Sequence, residues 1–480
     1  MPNPFLHKED ALLFRKVLRE SQKRKIDVFL VGGYIRDLFL KRKKANPDID
    51  FCLKNGSINF ASGLAKDMKA ALVILDKEHG ICRIVKKLAK RVYTLDFSDF
   101  RAGSIEEDLL QRDLTINSIA LNLKDLFSSG SLADMLIDPS GGLGDLRKKK
   151  IRVLDPASLD DDPLRILRVF SFACILGFNI EKDTISMVRL KKAKLNFSSP
   201  ERIRDELFKI LESNNTFAFF TELDKLRILS KVFPEIELMR GVSQGPYHHL
   251  DVLKHSFETL RQFEALAGKI TSRQVKEYLF QNFSSQRSRY ALLKLASFLH
   301  DLGKPEAKRR KGNRIKFYGH ERIGRDMAEA IARRIRLSNE ETDILKRIIF
   351  WHLRPGYLAD QQVVTARAIF RYFRDTQNEA ASVLLLSMAD QRSTRGRLTS
   401  EESRRRHEEV CRKLLREFFN RQKQEKPVRI LNGDDLISVF KLEPSPLFAD
   451  ILSHIEELQA IGKIKTRQQA IDEVKKFLRR

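Results

Sequence analysis

Asp48 and Asp50 stand two apart in the string Pro47-Asp48-Ile49-Asp50-Phe51. In an extended strand, residues two apart project from one face, so both carboxylates could meet one pair of hard cations such as Mg²⁺. Two such ions can activate a hydroxyl and neutralise a leaving pyrophosphate, which is the chemistry of phosphoryl transfer. A lone Asp-x-Asp is common on protein surfaces. Here it follows Val28-Phe29-Leu30-Val31-Gly32-Gly33, a strand running into a Gly-Gly turn, and a helix start at 34–41 that carries Arg36 and Asp37. Glycine lets a backbone approach a phosphate closely, and a helix start beside an Arg favours an anion. Such a turn is structural as readily as functional when read alone. Asp96, closing a predicted strand at 92–97, is the best third carboxylate, with Asp99 as the alternative.

A second pair, Asp162 and Arg165, lies three apart on a predicted helix and is expected to share its face. An ionised Asp only accepts hydrogen bonds and an Arg only donates them. Side by side they suit a base edge with an amino donor next to a ring-nitrogen acceptor, which cytosine and adenine have. Uracil and guanine set an oxo acceptor beside an N–H donor and would leave both protein groups unsatisfied. Without context, a surface salt bridge is the ordinary reading of an Asp-x-x-Arg pair. Seven of the ten histidines fall between residues 248 and 407, among them His255, the pair His300-Asp301, His320 and His352, with Asp390 following. Imidazole and carboxylate together suit a divalent transition metal with an open position that could generate a hydroxide nucleophile.

The elements that must position these groups change along the chain. Short β-type runs at 28–31, 49–53, 71–75, 82–85 and 92–97, separated by turns and two helical patterns, predict a small mixed α+β unit after a helix within residues 1–26. From about residue 155 the apolar period is helical, at 200–211, 257–266, 287–299, 322–335 and 366–374. The expected division is a catalytic head at 1–150, a helical neck at 151–240, a histidine-bearing domain with a basic linker at 241–425, and a small helical tail at 426–480. The formal charge of +26 over 480 residues suits a densely anionic partner such as nucleic acid, the alternative being a merely soluble charged surface. Cys52, Cys82, Cys174 and Cys411 lack metal-ligand spacing and read as reduced core residues. No signal-like segment and no run of eighteen apolar residues occurs, so the expectation is a cytoplasmic protein with no membrane partner.

With these residues in view, the sequence resembles the class II tRNA nucleotidyltransferases and bacterial poly(A) polymerases. Gly32-Gly33-Tyr34-Ile35-Arg36-Asp37 with Asp48-Ile49-Asp50 resembles motif A, and Gln111-Arg112-Asp113-Leu114-Thr115-Ile116-Asn117 resembles motif B. Asp138-Pro139-Ser140-Gly141-Gly142-Leu143-Gly144-Asp145-Leu146 resembles motif C, and Asp161-Asp162-Pro163-Leu164-Arg165 resembles motif D. Gln111 and Asp161 depart from the usual Arg and Glu. Pro200-Glu201-Arg202-Ile203 leads a helix similar to the family's neck element. The resemblance implies a polymerase-beta-like head that uses Mg²⁺, ATP and CTP on a tRNA 3′ acceptor end. It implies that Asp48 and Asp50 are catalytic, and Asp96, the third carboxylate chosen from its strand position, is expected to act with them. It also implies that Gly32, Gly33, Arg36, Arg112, Asp113, Asn117, Asp162, Arg165 and Arg168 bind the nucleotide. Motif C would be a hinge, and a mobile loop at 101–107 would take part in counting nucleotides.

Residues 241–395 resemble an HD phosphohydrolase domain, with His255, His300, Asp301 and Asp390 in the order of its metal ligands and His320 and His352 at the further positions. In some bacterial CCA-adding enzymes such a domain acts as a metal-dependent phosphatase or 2′,3′-cyclic phosphodiesterase; it can also serve mainly as an RNA-binding body. Full CCA addition is the leading expectation. CC-only, A-only or poly(A) addition on the same scaffold, and an HD hydrolase with an RNA-binding head, stand as alternatives. Basic stretches at 304–316, 404–406 and 463–467 are expected to contact RNA phosphates.

Overall fold

The computed structural model describes residues 7–42, 46–88, 91–128, 131–312, 314–423 and 429–479. Residues 424–428 of the expected basic linker, and the first six of the chain, lie outside that set. Two compact units are present, one comprising Met1–Ile210 with Leu226–Lys231 and the other Leu211–Lys225 with Val232–Arg480.

The first unit is built on a seven-stranded mixed sheet of β1 (Val28–Val31), β2 (Asp48–Leu53), β3 (Ala71–Asp76), β4 (Ile81–Leu88), β5 (Arg91–Asp99), β6 (Ala120–Asn122) and β7 (Leu136–Ile137). Their spatial order is β3-β4-β5-β2-β1-β6-β7. Within this sheet, among the described residues, only β2 and β5 run parallel, and their register sets Asp50 beside Asp96 and Asp48 beside Thr94. Strand alternation sends Ile49, Phe51 and Phe97 to the covered face, where all three are buried. There Phe51 stacks on Phe97 at 4.9 Å, with Phe14 of helix Lys8–Arg24 and Phe60 of helix Ser57–Met68 packed edge-on or tilted against them. Asp48, Asp50 and Asp96 emerge on the other face. Further along that face, helix Ile105–Leu110 closes over Cys52 and Val31 through Ile105 and Leu109. The five strands read from sequence are all present, each one to three residues longer at an end or unchanged. β6 and β7 were not legible, being three and two residues long.

The second unit is nearly all helical. Helix Arg289–Leu299 is buried along its whole length, with its two cations neutralised inside: Arg289 pairs with Glu379, and the Lys294 ammonium lies 3.1 Å from Glu264. Helices Val252–Gly268, Asn339–Trp351 and Ala380–Ser393 pack against it, with His320–Arg334 packed in turn on Asn339–Trp351 and Glu401–Arg421 on Ala380–Ser393. Residues 431–474 hold a separate small core around Leu436, Ile451 and Val474, and that tail meets helix Ala366–Thr376 where Arg367 and Arg371 grip Glu457 at 2.7 Å. All four cysteines are buried thiols with no disulfide among them. No helix among the described residues is long and apolar enough to cross a membrane.

Candidate functional sites

In the first unit a cleft of about 500 Å³ is lined by Gly32, Gly33, Asp48, Asp50, the motif B residues Arg112, Asp113 and Asn117, and Asp162, Arg165 and Arg168. Gly32 explains the Gly-Gly turn. Its φ of +72° and ψ of −134° suit glycine alone, and a Cβ there would come within 3.3 Å of the Asp50 carboxylate and 3.7 Å of Arg112. Asp48 is exposed and Asp50 half-buried, so both can face a solvated cation. Asp96 lies on the same face in register with Asp50, but both its oxygens accept hydrogen bonds from Arg83 at 2.8 Å. Asp99 projects from the opposite face and accepts from the Ser57 backbone N–H at the start of helix Ser57–Met68. Strand alternation alone separates the two alternatives for the third carboxylate.

A hydrogen-bond network fixes the walls of the cleft. Arg36 donates to Asn117 at 2.6 Å and to Asp37, and Asn117 donates to Asp113. Asp113 is salt-bridged to Arg168 at 2.6 Å; burial would lift its carboxyl, but Arg168 and the surrounding donors hold it below the ordinary range. Arg112 donates to Asp108 and to the Cys52 sulfur, and those neighbours outweigh burial to keep its guanidinium charged. Motif C sits behind this network. Asp138 caps helix Gly142–Arg147 by accepting from Gly142 and Leu143, and Asp145 ties Thr115 to Arg152. Any Cβ at Gly142 would strike the Thr115 carbonyl, so glycine is required by close packing onto motif B. The stretch 101–107 is tied down: Ser104 caps helix Ile105–Leu110, and the backbone N–H groups of Arg101 and Gly103 donate to Asp108 and Glu107.

Asp162 and Arg165 meet in the cleft, but not by sharing a helix. Helix Ser158–Asp161 ends at Asp162, which is extended (φ −136°, ψ 91°), and helix Arg165–Leu176 begins at Arg165. Pro163 is the reason, since a proline disfavours helical backbone in the residue before it. The Asp162 carboxylate accepts from Arg202 at 2.7 Å, and Arg165 donates to the carbonyls of Gln111 and Arg112. Burial pulls the Arg165 guanidinium below its usual value.

Five further residues that line the cleft were not assigned to nucleotide binding from the sequence: Arg42, Arg101 of the expected counting loop, Phe172, Arg202 of the expected neck, and Lys209. The guanidinium groups of Arg36 and Arg168 both lie over the Phe172 ring, 5.0 and 5.1 Å from its centroid. A helical period from Arg165 reaches Arg168 and Phe172 on one face, and Arg202 and Lys209 are likewise seven apart on helix Pro200–Leu211, so periodicity could have found three of the five. Arg42 and Arg101 carry no such signal.

In the second unit, all six predicted HD-type residues converge although they come from five separate segments. His255 Nε2 lies 2.9 Å from Asp390 and 3.5 Å from Asp301 Oδ2, and His300 Nε2 lies 3.2 Å from that same Asp301 oxygen. His320 and His352 approach Asp301 Oδ1 at 3.4 and 3.8 Å. Asp301 thus joins two ligand triads, His255-His300-Asp301 and Asp301-His320-His352, all buried. His300, His320 and His352 each direct Nδ1 to the carbonyl three residues earlier, at 2.6–2.9 Å. This fixes the tautomer and leaves Nε2 aimed inward, as in a metal ligand. Among the described residues, none of these three buried Nε2 atoms has a hydrogen-bond partner. Burial and the neighbouring His300 and His320 depress His352 to about 3; at His300 burial is outweighed by Asp301 and Asp390, which raise it to about 10. Lys304, expected among the RNA-contacting cations, is buried instead and pairs with Asp301 at 2.6 Å and Gln244 at 2.6 Å. The donor set fits a divalent metal.

Comparison with known proteins bears on both sites. The poly A polymerase head domain matches residues 28–152, a probable RNA- and SrmB-binding region of polymerase A matches 177–239, and the HD domain matches 252–395. The A-adding tRNA nucleotidyltransferase of Deinococcus radiodurans is 29% identical over 448 residues, covering 92% of this chain and 93% of its own. The CC-adding tRNA nucleotidyltransferase of Geobacter sulfurreducens is 27% identical over 443 residues, covering 92% and 90%. Among solved structures, a Thermotoga maritima CCA-adding enzyme complexed with tRNA aligns with a TM-score of 0.63 at 22% identity, covering 99% of this chain and 97% of that one.

Proposed function

We propose that this chain, which belongs to the class II tRNA nucleotidyltransferase family, adds C and A to the 3′ end of tRNA from CTP and ATP, completing CCA and releasing pyrophosphate. The observation that carries this reading is that one cleft joins Asp48 and Asp50 to Asp162 and Arg165. Carboxylates suited to Mg²⁺ and a donor–acceptor pair suited to C or A therefore share one cavity of nucleotide size. Mg²⁺ held by Asp48 and Asp50, with Asp96 beside them, would supply activation of the 3′-hydroxyl and charge neutralisation of the triphosphate. The chain's own groups do the rest. The Gly32-Gly33 turn and Arg36 face the triphosphate; Arg112, Asp113, Asn117 and Arg168 hold the sugar and phosphates; Asp162 accepts from the base amino group while Arg165 donates to its ring nitrogen. The tRNA acceptor end is the partner, and motif C links the head to the helical neck.

The relatives matched over most of the chain favour a second reading, A-only or CC-only addition. One experiment separates them. Purified protein with Mg²⁺ is given tRNA ending before, within or after CC, with CTP, ATP or both, and products are resolved at single-nucleotide length. Two C then one A, with termination, supports CCA addition. A single A on tRNA ending in CC, with no C transfer, moves the protein to the A-adding class. An open-ended A ladder overturns both.

For the second unit we propose a divalent transition metal at His255, His300, Asp301 and Asp390, with His320 and His352 completing the set, and hydrolysis of phosphomonoester or 2′,3′-cyclic phosphate ends. The inward-facing, unpartnered Nε2 atoms support this. Metal analysis and cyclic phosphate hydrolysis test it: Asp301→Asn should lose both, and full hydrolysis after chelation rejects it. A four-part division at about 150, 240 and 425 accommodates these two activities with a neck and a tail.

A further inference from the structure

We propose that Arg202, on helix Pro200–Leu211, is a specificity-determining positioning residue that fixes how Asp162 presents its carboxylate to the incoming base. The inference deepens the nucleotidyltransferase reading and rests on it.

The geometry begins with Asp162 itself. Because Pro163 ends the preceding helix, Asp162 sits on an extended joint between two helices, where its side chain is not held by a helical turn. Among the described residues, two hydrogen bonds orient its carboxylate: Oδ2 accepts from Arg202 Nη2 at 2.7 Å, and Oδ1 accepts weakly from the Leu164 N–H at 3.3 Å. Arg165, its partner in base reading, donates to main-chain carbonyls and does not hold Asp162. Removing Arg202 therefore leaves a short, rotatable carboxylate with one long hydrogen bond.

Orientation decides selectivity here. Discrimination against uracil and guanine requires an acceptor at one point and a donor at the next, both unmoved by the wrong base. A carboxylate that can swing away escapes the clash with an oxo group, so the penalty for the wrong base falls. Arg202 is the more exposed partner, its side chain being 54% accessible against 27% for Asp162, and it occupies Oδ2. The other oxygen keeps lone pairs for a base amino group. An exposed ion pair of this kind adds little to folding stability, so its removal should spare the fold. Arg202 falls within the matched RNA-binding region, and through it base reading is tied to a helix of that region.

The test compares wild type, Arg202→Met, Arg202→Lys and Asp162→Ala for single-nucleotide addition of CTP, ATP, UTP and GTP to tRNA lacking its 3′ end, reading kcat/KM for each. Arg202→Met should lower the preference for the accepted nucleotide over UTP about tenfold, equivalent to the loss of one oriented hydrogen bond. Its thermal midpoint should stay unchanged, and Arg202→Lys should restore most of the preference. Unchanged selectivity in Arg202→Met, while Asp162→Ala loses it, overturns the inference and leaves the base-reading pair standing. An equal fall with all four nucleotides also overturns it, since that marks a general role. A wild type with no preference between C or A and U or G rejects the base-reading pair itself, and the role of Arg202 with it.

Discussion

The two units handle charge in opposite ways. In the nucleotide cleft, the buried ionic groups have protein partners already: Asp113 with Arg168, Arg36 with Asn117, Arg112 with Asp108. The carboxylates proposed to hold Mg²⁺ are more accessible, Asp48 being exposed and Asp50 half-buried. In the HD-type cluster the reverse holds. Three imidazole nitrogens are buried without hydrogen bonds, and one carboxylate, Asp301, is shared among four histidines and Lys304. Burying polar atoms without partners is costly, so this cluster is electrostatically incomplete by itself. The first site has its buried charges paired by protein groups; the second leaves imidazole nitrogens that the proposed metal would satisfy.

The two sites should separate most clearly at Asp50. Asp50→Asn should reduce nucleotide transfer by about a thousandfold or more, with the thermal midpoint and any cyclic phosphate hydrolysis unchanged. Asp96→Asn should cost less, because Arg83 already neutralises that carboxylate. Equal losses in single-turnover assays would show that Asp96 leaves Arg83 to bind metal.

Metal dependence of stability comes next. Saturating divalent metal should raise the unfolding midpoint of the second unit by about 5 °C or more, since a ligand at a hundred times its Kd adds about 2.7 kcal/mol. His352→Gln should shrink that gain while leaving nucleotide transfer intact. A chelator that shifts neither midpoint in calorimetry would remove the distinction between the units.

A third effect tests whether buried charge in the second unit is otherwise well paired. Glu341 is fully buried; burial would raise its carboxyl, but Arg287 and the Ser338 cap bring it down to about 2. Its folded value lies below the unfolded one of 4.5, so the stabilisation is complete above pH 4.5 and is lost as pH falls through about 2. The shift corresponds to about 3 kcal/mol. Glu341→Gln should therefore lower denaturant stability by that order at pH 7, and the gap to wild type should narrow steadily below pH 4.5.

Much of both sites was legible in the residues. Period-two alternation placed Asp48 and Asp50 on one strand face, and Gly32 occupies a backbone conformation only glycine tolerates. The order of histidines and aspartates named six residues that the fold brings together around Asp301. The sequence went wrong where a local rule was overlooked, at Pro163, which breaks the helix that Asp162 and Arg165 were expected to share. It also misplaced Lys304, because a basic run on paper gives no sign that one member points inward.

By itself, then, the chain determined which groups could do chemistry, since strand and helix periods and glycine sterics act within a few residues. Only the tertiary structure decided which groups meet. Asp96 sits beside Asp50 because β2 and β5 pair in parallel, Arg202 reaches Asp162 across forty residues, and Asp301 joins two triads drawn from separate helices. Those contacts depend on packing between distant segments, and no local spacing encodes them.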